Sequence, residues 1–172
     1  MKKLPLIAAI LIPMNLLVGF KLAAGNERSM ETGDKINNTN NDQQIFLENV
    51  DACISIIEKE AQKIPIQGVV MVAYIPGKKT ESWTSKMKVV GKLANEKVNL
   101  LAIVYAKASE MAVTLKDSGE ASRKDIVGEL GYRGGVIMKV DSGYLVAAFS
   151  GGDSQQDVDV SKIGLEWLSK KF

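Results

Sequence analysis

The side-chain chemistry open to this chain is limited by two residue types that are scarce. Its 172 residues contain no histidine and a single cysteine, Cys53. Without histidine there is no Ser-His-Asp or Cys-His nucleophile. One cysteine cannot complete a zinc site or anchor an iron–sulfur cluster on its own. Any chemistry must therefore come from lysine, tyrosine or carboxylate side chains, or from a bound cofactor.

One short motif, Ser150-Gly151-Gly152, could bind an anion. It follows a predicted strand and leads into a predicted helix, so its backbone N–H groups could hold a carboxylate or a phosphate. The alternative is that its two glycines only permit a tight turn between strand and helix. The motif alone is compatible with both interpretations.

The first 24 residues have the pattern of a secretory signal peptide. Two lysines precede a mostly apolar run at residues 4–20, and small residues follow this run. We therefore expect a periplasmic or secreted protein without a stable membrane span after cleavage, with a retained N-terminal anchor as the alternative. Three of the 22 basic residues lie in this segment, against 20 acidic residues in the whole chain. The remainder is close to neutral, which gives no electrostatic reason to bind nucleic acid.

A single folded domain is predicted at residues 43–172, after an Asn-rich stretch at residues 25–42 that reads as a flexible polar linker. Apolar residues spaced by three and four predict a first helix from Gln43 to Lys63, which Pro65 ends. Cys53 lies within the apolar stripe of this helix. We therefore expect its thiol to be buried and unreactive.

The rest of the domain alternates hairpins with helices. Its predicted elements are strands at 67–75 and 80–89, helices at 93–116 and 122–130, strands at 135–140 and 144–152, and a final helix ending near 171. The order α-β-β-α-α-β-β-α predicts an α+β fold. Its antiparallel sheet should have about four to five strands and be flanked by helices.

Five short motifs mark the second half of this domain. In chain order they are Ala106-Lys107-Ala108, Gly134-Gly135, Asp141-Ser142-Gly143, Ser150-Gly151-Gly152 and Gln156-Asp157. In this order they resemble the GlcG/HbpS-like family of haem-degrading or haem-binding proteins, over roughly residues 46–168. The sequence departs from the family pattern at residues 87–90 and at Glu110-Met111, both where a ligand groove would lie.

The resemblance implies a profilin- or roadblock-like layout, assembly into a homo-oligomer, and binding of haem, a related tetrapyrrole or another small hydrophobic ligand. The residues implied for this site are Tyr105, Lys107, Met111, Gly134, Gly135, Ser150, Gly151 and Gly152. Without histidine, the candidate iron ligands include Tyr105 and Met111, with Met138 and Tyr144 on the closing hairpin. Lys107 could pair with a propionate. The alternative for these side chains is core packing or, for Lys107, a solvated ammonium group.

Three classes of function follow from these observations. The leading hypothesis is an exported, self-assembling binding module without catalytic activity. The second is an enzyme that degrades a tetrapyrrole with a cofactor or acts in a cobalamin-linked reaction. The third is a structural or partner-binding domain that holds no small ligand.

Overall fold

The computed structural model describes the backbone of residues 28–124 and 126–172, and side chains from residue 41 onward apart from residue 125. The elements are α1 (Arg28–Lys63), β1 (Gly68–Pro76), β2 (Thr84–Val90), α2 (Leu100–Thr114), β3 (Gly135–Val140), β4 (Gly143–Ser150) and α3 (Ser154–Ser169). The predicted signal peptide lies outside the described residues. No helix in the described part of the chain is long and apolar enough to cross a membrane.

The predicted α+β class is confirmed. The four strands form one antiparallel sheet in the order β2-β1-β4-β3. Successive residues of a strand point to opposite faces, and both faces are covered. α1 and α3 pack on one face against residues such as Val72 and Phe149. α2 packs on the other face against residues such as Met71 and Val146.

The described residues contain one helix fewer than predicted between α2 and β3, because residues 122–124 and 126–130 do not form a helix. Two large apolar side chains there, Ile126 and Val127, are exposed to solvent. Gly128 has a φ of +98°, which is incompatible with a right-handed helix. A short helix that buries no apolar face has little to stabilise it.

The starts of two helices also differ from the predictions. α1 begins at Arg28, so its helical backbone includes most of the stretch that was predicted to be a linker. α2 begins at Leu100 and not near residue 93, because the side chain of Asn99 caps it by accepting the N–H of Ala102 at 3.0 Å. The predicted burial of Cys53 on α1 is confirmed, and burial raises the pKa of its thiol to about 12.

The closing hairpin and helix follow the predictions closely. β3 and β4 pair from Gly135 opposite Ala148 to Val140 opposite Gly143. Asp153 then caps α3 in a capping box with Gln156. This hairpin matters for the site because one of its ends meets both α2 and α3.

Candidate functional site

A buried ion pair joins the two helical layers at the end of the sheet where β4 ends. The Lys107 ammonium of α2 donates to Asp157 Oδ2, in the first turn of α3, at 2.8 Å. The same ammonium donates to the backbone carbonyl of Phe149, also at 2.8 Å. Both charged residues are only 3% exposed. The pair therefore lies inside the protein, where its charges interact far more strongly than at the surface.

Gly134 makes room for this pair. It has a φ of +130°, in the region that favours glycine. A Cβ at this position would overlap the Lys107 ammonium and lie 2.6 Å from Asp157 Cβ. The Gly134 carbonyl accepts the N–H of Phe149 at 3.2 Å and the hydroxyl of Ser161 at 3.0 Å. The absence of a side chain at residue 134 thus lets an ammonium and a carboxylate meet beside the start of β3.

The Ser150-Gly151-Gly152 motif does bind a carboxylate, and that carboxylate belongs to the chain itself. Asp157 Oδ1 accepts the N–H of Gly152 at 2.9 Å. The glycines also have a packing role, because a Cβ at Gly151 would overlap the carbonyl of Gln67. Both interpretations of the motif therefore describe part of the structure, with Asp157 in the place of an external anion.

Burial shifts the ionisation of both partners toward their neutral forms. Burial raises the pKa of Asp157, while Lys107 and the Gly152 N–H act in the opposite direction because they stabilise the carboxylate. Burial lowers the pKa of Lys107, while the nearby Asp157 carboxylate acts in the opposite direction because it stabilises the ammonium. The hydrogen bonds described above are made by the charged forms, so the geometry fits an ammonium–carboxylate pair at neutral pH. Each partner finds its hydrogen bonds within the protein.

Two further residues implied for the ligand site also face inward. Met111 is fully buried and covers Gly135 so closely that a Cβ there would overlap the Met111 methyl group. Ser118 closes the other side of Gly135, whose N–H it accepts at 2.8 Å. Ser150 is buried opposite Val69 of β1. In this arrangement neither the methionine sulfur nor the serine is open to solvent.

Tyr105 does not join this cluster. It is half-buried against the core between α2 and the sheet, with no hydrogen bond to the described residues around Lys107. The structure thus gathers Lys107, Met111 and the glycine motifs at one end of the sheet and leaves Tyr105 beside them on the helix. The assignment of these residues to a ligand stays a prediction.

Two buried or half-buried acids near this cluster were not among the predicted site residues, and Glu110 was named only as a departure from the family pattern. Glu110 is 2% exposed, and its Oε1 accepts the N–H of Gly119 at 2.8 Å. Asp117 accepts the N–H of Ile137 at 2.8 Å, and burial raises the pKa of its carboxyl. The available signal was a glutamate within an apolar helix, preceded by Ala108-Ser109 and followed by Met111. Both acids tie the segment after α2 to the sheet.

A cleft of about 790 Å³ lies at the opposite end of the β3–β4 hairpin. Six residues of β3 separate it from the Lys107 pair, roughly 17 Å at the rise of a strand. Its lining consists of Asp42, Gly77, Lys78, Lys139, Val140, Asp141, Ser142, Gly143, Tyr144 and Phe172. Of these, the sequence analysis named Tyr144 as a candidate iron ligand and Asp141-Ser142-Gly143 as a family-like turn motif, but placed no ligand site there. Because this surface joins four separate parts of the chain, the turn motif alone could not predict a cleft here.

A short hydrogen-bonded chain stands behind this cleft. The Tyr74 hydroxyl and Ser142 Oγ lie 2.7 Å apart, and Ser142 donates to Asp42 of α1. Burial raises the pKa of Tyr74, so its hydroxyl stays protonated at neutral pH. The aromatic ring of Phe172 packs on Tyr74 at 5.6 Å between ring centroids. These contacts hold the hairpin turn against α1.

Among the described residues, no group of three or more acidic or cysteine side chains is arranged to hold a metal ion. No known family model matches the chain, and no curated protein matches it. The resemblance to GlcG/HbpS-like proteins therefore stays a prediction from the motifs.

Proposed function

We propose that this protein is an exported, self-assembling binding module of the GlcG/HbpS-like type that holds haem or a related tetrapyrrole. The single observation that carries the proposal is the cleft at the β3–β4 turn. Its volume of about 790 Å³ is within the range of small-molecule sites, roughly 300–1,000 Å³. The Lys107 pair is a weaker candidate for the ligand site because its polar groups already bond to one another.

The lining of the cleft combines apolar surface with two lysines and two acids, Asp42 and Asp141, and the lysines are the groups that could attract the carboxylates of a flat apolar ligand. Val140 and Phe172 offer apolar and aromatic surface on the α1/α3 side of the hairpin, and Tyr144, paired with Lys139, offers its ring on the α2 side. The side chains of Lys78 and Lys139 could pair with two propionates, and neither forms an ion pair with another described residue. The Tyr144 phenol is a known type of haem-iron ligand, and a histidine-free chain has few others to offer. When bound, haem would supply the colour and the redox chemistry of the complex.

The test is a titration of haem into the purified protein, followed by its Soret absorbance. We expect a shifted Soret band at micromolar haem and a changed spectrum in Tyr144→Phe, which lacks the phenol oxygen. Tyr132→Phe is the matched control, because Tyr132 is exposed on the segment before the opposite end of β3. No Soret shift from folded protein would eliminate haem as the ligand. Equal spectra for Tyr144→Phe and wild type would exclude this tyrosine as the iron ligand.

The lysines give an independent measurement of the position of the ligand. Exposed ion pairs contribute about 0.2–1 kcal/mol each, so the double variant Lys78→Ala/Lys139→Ala should bind about two- to thirtyfold more weakly. Lys97→Ala/Lys124→Ala removes two exposed lysines that do not line the cleft and should leave the affinity unchanged. An equal loss in both double variants would indicate nonspecific attraction of the ligand to positive charge.

Export is tested separately from binding. The proposal is supported by the apolar run at residues 4–20 behind two lysines. We expect the protein to accumulate outside the cytoplasm, with an intact mass that shows removal of about the first 24 residues. The full-length mass in the membrane fraction would support the retained anchor, and the full-length mass in the cytoplasm would contradict export.

A further inference from the structure

The two edges of the sheet are protected to different degrees. On the β3 edge, Gly135 donates its N–H to Ser118 Oγ, and Ser118 returns its own N–H to the Gly135 carbonyl at 3.2 Å. Ile137 donates its N–H to Asp117. The segment after α2 thus occupies hydrogen-bonding groups that an edge strand would otherwise present to another chain.

The β2 edge has no comparable cover. Its seven residues pair with β1 in one unbroken register, from Thr84 opposite Tyr74 to Val90 opposite Gly68, without a bulge or a proline. Within the described part of the chain, no hydrogen bond from outside β1 reaches the backbone of β2. A regular edge strand of this kind presents N–H and C=O groups to a further strand.

Lysines on an edge strand usually discourage such pairing, but the two on β2 have partners within the protein. Lys86 lies 2.6 Å from Asp51 and Lys88 lies 2.5 Å from Glu58, both on α1. These exposed pairs add little stability. Their importance is electrostatic, because the carboxylates largely cancel the positive charge that two copies of the strand would bring together.

The other face of β2 is apolar and incompletely covered. Val89 is 40% exposed, and Met87 and Trp83 are half-buried against the core on the α2 side. Met87 and Val89 lie on the same face of the strand because they are two residues apart, and Trp83, just before the strand, packs on that side too. A strand added beside β2 would extend this apolar strip and cover part of it.

We infer that β2 is the surface through which this protein binds a second copy of itself, with the two β2 strands antiparallel and Met87 on the two-fold axis. Met87 is the midpoint of Thr84–Val90, so this register alone pairs all seven residues. The two four-stranded sheets would become one of eight strands. Each Lys86 would then stand opposite the partner's Lys88, with α1 carboxylates of both copies beside them. This inference rests on the proposed self-assembly and names its interface.

Crosslinking tests the register directly. Met87→Cys should give a covalent dimer on mild oxidation or with a short bismaleimide, because a residue on the axis meets its own copy. Cys53 can be left in place, since it is fully buried and burial raises the pKa of its thiol to about 12. Lys139→Cys, exposed on β3 at the other edge of the sheet, is the control and should remain monomeric on a denaturing gel.

The mass in solution, from light scattering, separates this inference from the proposed self-assembly. We expect wild-type protein to be an oligomer and Val89→Lys to shift toward smaller species. Val113→Lys replaces a valine that is 65% exposed on α2 and should keep the wild-type mass. A wild-type monomer at high concentration would contradict both proposals. An oligomer that Val89→Lys does not alter and Met87→Cys does not crosslink would overturn the β2 interface alone.

Discussion

Replacing Lys107 with methionine should strongly destabilise the folded protein. Methionine has a similar length but cannot donate to Asp157 or to the Phe149 carbonyl, which Lys107 reaches at 2.8 Å each. Asp157 would then be a buried carboxylate that keeps its backbone donors, including the Gly152 N–H, but loses its counter-ion. Breaking a buried pair by removing one partner typically costs about 3–5 kcal/mol. Since whole domains are stable by about 5–15 kcal/mol, this is a large fraction.

Urea unfolding followed by tryptophan fluorescence measures this loss. Trp83 packs on the α2 side of the sheet and Trp167 on the other side, so both layers contribute to the signal. Lys162→Met is the matched control, because Lys162 is exposed and lies 3.8 Å from Glu166 in a surface pair on α3. This control should change the free energy of unfolding by less than about 0.5 kcal/mol.

A double-mutant cycle shows whether Lys107 and Asp157 stabilise the fold through their contact with each other or independently of each other. Asp157→Asn removes the negative charge without changing the shape of the side chain. Its free energy of unfolding can still be measured if Lys107→Met fails to fold. The double variant buries no uncompensated charge, so it should lose at least about 1 kcal/mol less than the sum of the two single losses. Additive losses, or a Lys107→Met loss no larger than that of Lys162→Met, would refute the buried ion pair.

The remaining two predictions use the same unfolding assay. Gly134→Ala should lower the free energy of unfolding by at least about 2 kcal/mol, because Gly134 has a positive φ and an added Cβ would overlap Lys107. Gly128 also has a positive φ but has open space around it, so Gly128→Ala should cost only about 1 kcal/mol. Equal losses in the two variants would contradict the overlap at residue 134. Because the Cys53 thiol stays protonated in the folded state until about pH 12 but ionises near pH 9.0 when unfolded, stability should fall as pH rises between these values, by up to about 4 kcal/mol. Cys53→Ala should show a smaller fall over this range, and an unchanged slope would argue against a buried thiol.

Local turn chemistry made the closing hairpin the most predictable part of the fold. Asp141-Ser142-Gly143 joins two apolar runs, and the observed strands begin and end within two residues of the predicted ones. The cap of α3 at Asp153 was equally local. In these places neighbouring residues in the sequence supply the hydrogen bonds, so the sequence pattern and the structure agree.

The errors arose where a polar side chain competes with an apolar pattern. The helix predicted to start near residue 93 is delayed because Asn95 Oδ1 accepts the N–H groups of Lys97 and Val98, at 2.9 and 2.8 Å, in a local turn. Asn99 then caps α2. α1 was predicted too short for a different reason, since its apolar stripe marks only the part that packs on the sheet, from Phe46 onward.

The pairing of Lys107 with Asp157 could not be predicted, because the two residues are 50 positions apart and a lysine is by default solvated. Its energetics also bear on where a ligand would bind. A propionate that took Lys107 from Asp157 would have to offset the roughly 3–5 kcal/mol cost of breaking the pair. Lys78 and Lys139 at the opposite cleft carry no such cost, since neither must give up an ion pair with a described residue. A carboxylate ligand is therefore expected at the cleft, with the glycine-lined pair maintaining the fold that shapes it.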